Sequence, residues 1–114
     1  MKTISIVFEV VYSRFDSYVK TCIFFNERKE RFEYLSRECI EFISEFISKF
    51  GKFKKLEPYE ILFELNDKKE QLLYLILKAF GGRKRKIYNK LIKDLKSNNF
   101  DIERIKKEII KELI

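Results

Sequence analysis

The sequence predicts an α+β domain in the order ββαβααα, a small three-stranded sheet with amphipathic helices packed on it. Three observations carry this expectation. The N-terminal residues alternate between apolar and polar with period two. Later segments repeat apolar residues at three- and four-residue steps. Gly, Pro, Ser and Asn fall between the segments and punctuate them.

Ile4, Ile6, Phe8, Val10 and Tyr12 alternate with Thr3, Ser5, Val7, Glu9 and Val11, the pattern of a half-buried strand. Ser13 to Ser17 contains turn-compatible Ser and Asp, and Tyr18 to Phe25 is rich in β-branched and aromatic residues. The two runs read as a hairpin with a longer loop. From Glu27 to Phe50 the period changes. Phe32, Leu35, Cys39, Phe42, Ile43, Phe46, Ile47 and Phe50 form one face of a long helix, with Asn26 as N-cap and Gly51 as stop.

Lys52 to Pro58 reads as a loop and Tyr59 to Leu65 as the third strand. A right-handed crossover brings that strand parallel to the second, while the route of the loop also allows an antiparallel order. Asp67 and Glu70 make an Asp-x-x-Glu capping pattern for a helix carrying Leu72, Leu75, Ile76, Ala79 and Phe80. Gly81-Gly82 ends it. Ile87, Leu91 and Leu95 mark a third helix, broken by Ser97-Asn98-Asn99. Asp101 caps a fourth, with Phe100 and Ile105 as hydrophobic staple and Ile102, Ile105, Ile109 and Leu113 as its stripe.

With 114 residues and 14.0 kDa, the expectation is a single domain over 1–114. Residues 1–65 supply the sheet and long helix, and residues 66–114 a basic helical part. The absence of His removes His-based acid–base catalysis and Cys/His zinc sites. Two cysteines, Cys22 and Cys39, cannot staple a secreted scaffold. Neither a signal peptide nor a membrane-length apolar run is visible, so a cytoplasmic protein without membrane contact is expected. Lys/Ile-rich, Gln- and Ala-poor usage fits a hyperthermophilic archaeal source, or an AT-rich viral one.

The formal charge is +7, and its distribution is the main functional signal. Between Lys78 and Lys96 lie eight cations and one acid, Asp94, so the net charge resides in this stretch and the rest of the chain cancels. Arg83-Lys84-Arg85-Lys86 is expected in the first turn of the third helix, after two glycines. Cations there oppose the helix dipole, and a bound anion relieves the repulsion. A second cluster, Lys52, Lys54 and Lys55 with Lys49 before it, would extend a basic stripe if it lies on the same side. Gly81-Gly82-Arg83-Lys84 is not a phosphate-binding Walker loop, because the leading Gly and the Ser/Thr after Lys are missing.

Other chemistry is weaker. Tyr12, Tyr18, Tyr34, Tyr59 and Tyr88 offer faces for base stacking, although core packing with a hydrogen-bonded hydroxyl is the commoner use of tyrosine. Glu38, Glu41 and Glu45 read as the solvated side of the first helix. Glu60 and Glu64 share one strand face, but nothing makes them converge with Glu9 on a metal. Phe63-Glu64-Leu65, Lys68-Lys69, Leu72-Leu73, Phe80-Gly81-Gly82 and Ile87-Tyr88 together resemble the strand–helix–glycine passage of LAGLIDADG homing endonucleases, over roughly a quarter of the chain. The acidic signature that carries catalysis in that family is absent, so the resemblance implies no activity and no site residue.

The second sheet face mixes Val7, Val11 and Leu62 with Thr3, Glu9, Glu60 and Glu64. Either a C-terminal helix or another copy of the chain is expected to cover it, which makes a homodimer one of two expected states. The leading functional expectation is a small nucleic-acid-binding accessory protein, without cofactor or metal and not an enzyme, with a metal-dependent nuclease kept as a third reading that no carboxylate motif supports. Arg83, Lys84, Arg85, Lys86, Lys90 and Lys93 would contact the DNA or RNA backbone, with Lys52, Lys54 and Lys55 assisting. The alternative is a protein–protein interaction module, such as a small viral or mobile-element inhibitor of a host complex, whose basic patch meets an acidic protein surface.

Overall fold

A computed structural model describes the backbone of residues 1–113 and the side chains of residues 1–112. Leu113, the last member of the expected C-terminal stripe, therefore falls outside the described side chains. The order is β1 (Lys2–Tyr12), β2 (Ser17–Phe25), β3 (Glu30–Phe32), α1 (Arg37–Phe50), β4 (Lys52–Glu57), β5 (Glu60–Leu65), α2 (Asp67–Phe80), α3 (Arg85–Lys96) and α4 (Ile102–Leu113). The class is α+β as expected, but the sheet has five strands, not three, in the order β3-β2-β1-β5-β4 with every pairing antiparallel. β5 runs in the direction of β2 yet pairs with β1, which lies between them.

Both additional strands have a physical reason for evading the periodicity. β3 is three residues long, and residues in the left-handed region, Lys29 (φ 55°) and Tyr34 (φ 57°), bracket it. That conformation is incompatible with the helix expected from Glu27. Phe32 belongs to the sheet, with its ring edge-on to Phe25 and Tyr74. The helix starts ten residues later than expected, at Arg37, where Ser36 accepts from the backbone N–H of Cys39 at 3.1 Å. Asn26 is not a cap: its amide donates to Ser5 Oγ at 3.0 Å and closes the strand end.

The segment expected as a loop, Lys52 to Pro58, is strand β4 and the first turn residue. Its apolar residues Phe53 and Leu56 are three apart, which spoils alternation. A bulge between Phe53 and Lys55 returns them to one face, opposite Phe63 and Ile61. Pro58 and Tyr59 (φ 65°) form the tight turn into β5.

The core lies on one side of the sheet. Ile4, Ile23, Phe25 and Leu65 join Cys39, Phe42 and Phe46 of α1, Leu73 and Ile76 of α2, Tyr88 and Leu91 of α3, and Ile105 and Ile109 of α4 in one buried cluster. Glu38, Glu41 and Glu45 stay off that face, as the spacing predicts. The expected N-cap of α2 is displaced by one residue: Asn66 accepts from Lys69 N at 2.8 Å. Glu70 leaves the capping pattern, buries its carboxylate to 1% exposure, and takes hydrogen bonds from Arg28 at 2.8–3.1 Å. Asp101 caps α4 as expected, accepting from the N–H groups of Glu103 and Arg104.

The C-terminal helices join this core and do not cover the second sheet face. There Val7, Val11, Phe24 and Leu62 are half-buried, outside the buried cluster. Among the described residues no helix is long and apolar enough to cross a membrane.

Candidate nucleic-acid interface

The Arg83–Lys86 segment straddles a helix start. α3 begins at Arg85, so Arg83 and Lys84 precede it, contrary to the expectation of four cations inside the first turn. Lys84 occupies the N-cap position without a side-chain capping bond, and no acid lies in the first turn. Two hydrogen bonds pin the turn that leads in. The buried Tyr88 hydroxyl donates to the carbonyl of Gly81. Ser36 N–H donates to the carbonyl of Gly82 at 2.6 Å. Tyr88 is therefore a buried anchor and not a stacking face. Its hydroxyl is held well above the usual tyrosine range, first by burial and then by Cys39.

Gly81 has φ 70°, which ends α2 in a conformation that favours glycine. At Gly82 a Cβ would stand 2.8 Å from Leu35 Cδ2 and 3.1 Å from the carbonyl of Tyr34. The turn thus packs directly on the residues that open α1. α1 and α3 run side by side in the same direction: Arg85 faces Glu38, Lys96 faces Glu41 and Glu45, and Lys49 Nζ reaches the carbonyl of Leu95. Parallel helices bring two positive dipole ends to one place. A shallow open recess of about 480 Å³ lies there, lined by Tyr34, Leu35, Ser36, Arg83 and Arg85.

Tertiary structure changes the charge balance of the basic stretch. Lys78 pairs with Glu30, Lys84 with Glu112, Arg85 with Glu38, Lys90 with Glu108, and Lys96 with Glu41 and Glu45. Among the described residues, Arg83, Lys86 and Lys93 of this stretch have no carboxylate within ion-pair distance. Apart from Glu38, whose side chain is only 18% exposed, both partners of these ion pairs reach solvent, so each pair contributes little and yields readily to a competing phosphate. Between α3 and α4 the groove carries Lys86, Lys90, Arg104 and Lys111 beside Asp94, Glu108 and Glu112, so most of its positive charge is cancelled within the groove.

The second basic cluster does not join the first. Lys52, Lys54 and Lys55 stand on β4, the edge strand farthest from β3, past the C-terminal end of α1. The Arg83–Lys86 turn lies at the other end of that helix, about 20 Å along its axis at 1.5 Å per residue. Lys54 pairs with Glu64 and Lys55 with Glu57. Lysines together with a bulge are what keeps an exposed edge strand from pairing with other chains.

One cluster has the composition of a metal site. Ligand atoms of Glu9, Cys22 and Glu33 lie within 4.8 Å of one another on the second sheet face. Lys20 and Arg31 already occupy it. Lys20 Nζ is 3.6 Å from Glu9 and 3.4 Å from Glu33, and Arg31 reaches Glu9, Glu33 and the Cys22 sulfur. The hydrogen bond from Arg31 lowers the Glu9 carboxyl below its ordinary value. A cation would have to displace two resident cations, so the cluster is an ion-pair lattice that covers this part of the sheet.

Four tyrosines expected to pack in the core or at its edge are exposed instead: Tyr12, Tyr18, Tyr34 and Tyr59. Tyr34 is the one beside the basic turn. Comparison with protein-family models, curated proteins and solved structures finds no match for this chain.

Proposed function

We propose that this chain is a small nucleic-acid-binding accessory protein that grips the phosphate backbone with Arg83, Lys84, Arg85 and Lys86, aided by Lys90 and Lys93 along α3. One observation carries the reading: four consecutive exposed cations sit on a turn pinned at both glycine carbonyls, where α1 and α3 begin together. A rigid turn loses little freedom on binding, and free N–H groups at a helix start add to the attraction for phosphate. Contacts of this kind read charge and spacing, with little base discrimination. Binding of labelled DNA and RNA at increasing salt is the test. Affinity should fall along a log–log line with slope of about −0.9 per phosphate neutralised on duplex DNA. A protein that binds neither nucleic acid at ~50 mM salt, where such contacts are strongest, ends this reading.

A second reading, a protein-docking module, is favoured by the apolar side of the sheet. A groove of about 260 Å³ between α1 and the strands is lined by Ile6, Phe8, Ile23, Ile40, Ile43 and Ile61, among others. The strand register puts exposed Val10, Val19, Phe53 and Leu56 on this same face, beyond the cover of α1. Exposed apolar surface of this continuity is typical of docking sites. Loss of a protein partner on Leu56→Glu, with nucleic-acid binding absent in both proteins, would select this reading over the first.

A further inference from the structure

The recess beside the basic turn holds an aromatic ring that phosphate contact alone does not require. Tyr34 is 61% exposed and contributes nothing to the buried cluster. Its backbone occupies the left-handed region at φ 57°, uncommon for a bulky residue. Cations from two separate elements approach it: Lys20 Nζ at 5.2 Å and Arg83 Cζ at 5.4 Å from the ring centre. Inside the fold, by contrast, Arg28 packs onto Tyr74 at 4.2 Å. The two cations over Tyr34 stand about an ångström farther off than Arg28 over Tyr74, and neither closes the ring off, since the residue keeps its 61% exposure.

Among the described residues, Tyr34 is the one exposed tyrosine with cations at its ring; Tyr12, Tyr18 and Tyr59 have none. The nearby acid, Glu33, is engaged by Lys20 and Arg31. Arg83 has no carboxylate partner among the described residues, and Arg85 next to it is 74% exposed and only loosely paired, 3.7 Å from Glu38 Oε2. An exposed aromatic ring beside one unpaired guanidinium, that of Arg83, and one loosely paired, that of Arg85, matches the two halves of a nucleotide. The base stacks on the ring, and the phosphate on its 3′ or 5′ side meets the arginines. A duplex hides its base faces, whereas a single strand offers them.

We propose that the recess of Tyr34, Ser36, Arg83 and Arg85 selects single-stranded nucleic acid, with one unpaired base stacked on Tyr34 and its phosphate held by Arg83 and Arg85. This rests on the phosphate-binding role of the same turn and names the class of nucleic acid it takes. Stacking is tolerant of base identity, so the preference is for strandedness and not for sequence.

The experiment compares a short oligodeoxythymidylate, an oligouridylate and a blunt DNA duplex of equal length at ~50 mM salt, where backbone contacts are favoured. Tyr34→Asn removes the ring, and Asn tolerates the left-handed backbone, so the fold is retained. Its affinity for the single strands should drop roughly 5- to 150-fold, the usual range for losing one stacked base, while duplex affinity stays as it was. Tyr34→Phe should bind as the parent protein does. Tyr34→Trp introduces the sole tryptophan of a chain that has none. Its emission should be quenched by the single strands and not by the duplex, a readout that serves even if Tyr34→Asn folds poorly. Unchanged single-strand affinity in Tyr34→Asn, or no quenching in Tyr34→Trp, with strong losses when the four cations are neutralised, overturns the stacking proposal and leaves backbone binding standing. No binding of any of the three probes by the parent protein overturns both.

Discussion

The backbone N–H of Ser36 donates to the carbonyl of Gly82 across 46 residues, joining the start of α1 to the turn that carries Arg83. The bond is 2.6 Å long, and a Cβ at Gly82 would stand 2.8 Å from Leu35 Cδ2 and 3.1–3.2 Å from the backbone of Tyr34 and Leu35, so these neighbours would have to shift to admit it. The position of the basic turn thus depends on the packing of a residue without a Cβ.

Gly82→Ala should cost about 1–3 kcal/mol of stability, the usual penalty for forcing extra volume into a packed site. It should also weaken oligonucleotide binding with every cation still present, because the turn must move. Urea unfolding and a binding titration on the same preparation check both. Full stability in Gly82→Ala would contradict the packing argument.

Replacing Arg83, Lys84, Arg85 and Lys86 together by Gln should lower affinity for all sequences alike and flatten the salt slope by up to about four phosphate equivalents. Stability should change by less than about 1 kcal/mol, since the lost ion pairs are exposed and two of the cations oppose the α3 dipole. Gln at Lys106, Lys107 and Lys111 should do far less, with Glu103, Glu108 and Glu112 nearby in the chain. Equal losses from both sets would mean diffuse attraction and no site.

Arg28 and Glu70 make the one ion pair among the described residues in which a partner is fully buried, with side-chain exposures of 34% and 1%. Arg28→Met strands a buried carboxylate and should cost about 2–3 kcal/mol, less than the ~3–5 of a fully buried pair because water reaches the arginine. Adding Glu70→Leu to it should recover much of that loss. A double variant less stable than Arg28→Met alone would show that the pair is not the source of the cost.

The Glu30 carboxyl is held below its ordinary value, first by the hydrogen bond from Lys78 and then by Tyr74. A lowered carboxyl contributes stability that is fully present above its unfolded value of about 4.3 and is lost as pH falls through the folded one. The pair is exposed, so the effect is small. The gap in thermal midpoint between the parent protein and Lys78→Met should therefore narrow between about pH 6 and about pH 3. A gap that widens on acidification would reverse the assignment.

Cys22 and Cys39 both have 0% exposure, and burial pushes the Cys39 thiol up to about 12. A disulfide-exchange reagent at about pH 8 should modify neither thiol in the folded protein and both in denaturant. Rapid reaction in the folded protein would mean that the sheet opens at Cys22 or the core at Cys39.

Some of this protein is written locally in its sequence. The β1–β2 hairpin, the buried stripes of α1 to α4, the glycine stops at Gly51 and Gly81 and the cap at Asp101 depend on side-chain period and on bonds between near neighbours. The basic turn was legible for the same reason, since charge along the chain can be counted. Tertiary structure decided the rest. β3 and β4 exist because partner strands supply their hydrogen bonds, and a bulge at Lys54 hides the period of the second. Carboxylates of α1, α4 and β3 arrive from far along the chain to pair with cations of the basic stretch, so its net charge in space is smaller than in sequence. The separation of Lys52, Lys54 and Lys55 from Arg83, and the approach of Tyr34 to it, follow from which end of α1 each segment meets. Such meetings are set by the packing of whole elements, which no single window of residues contains.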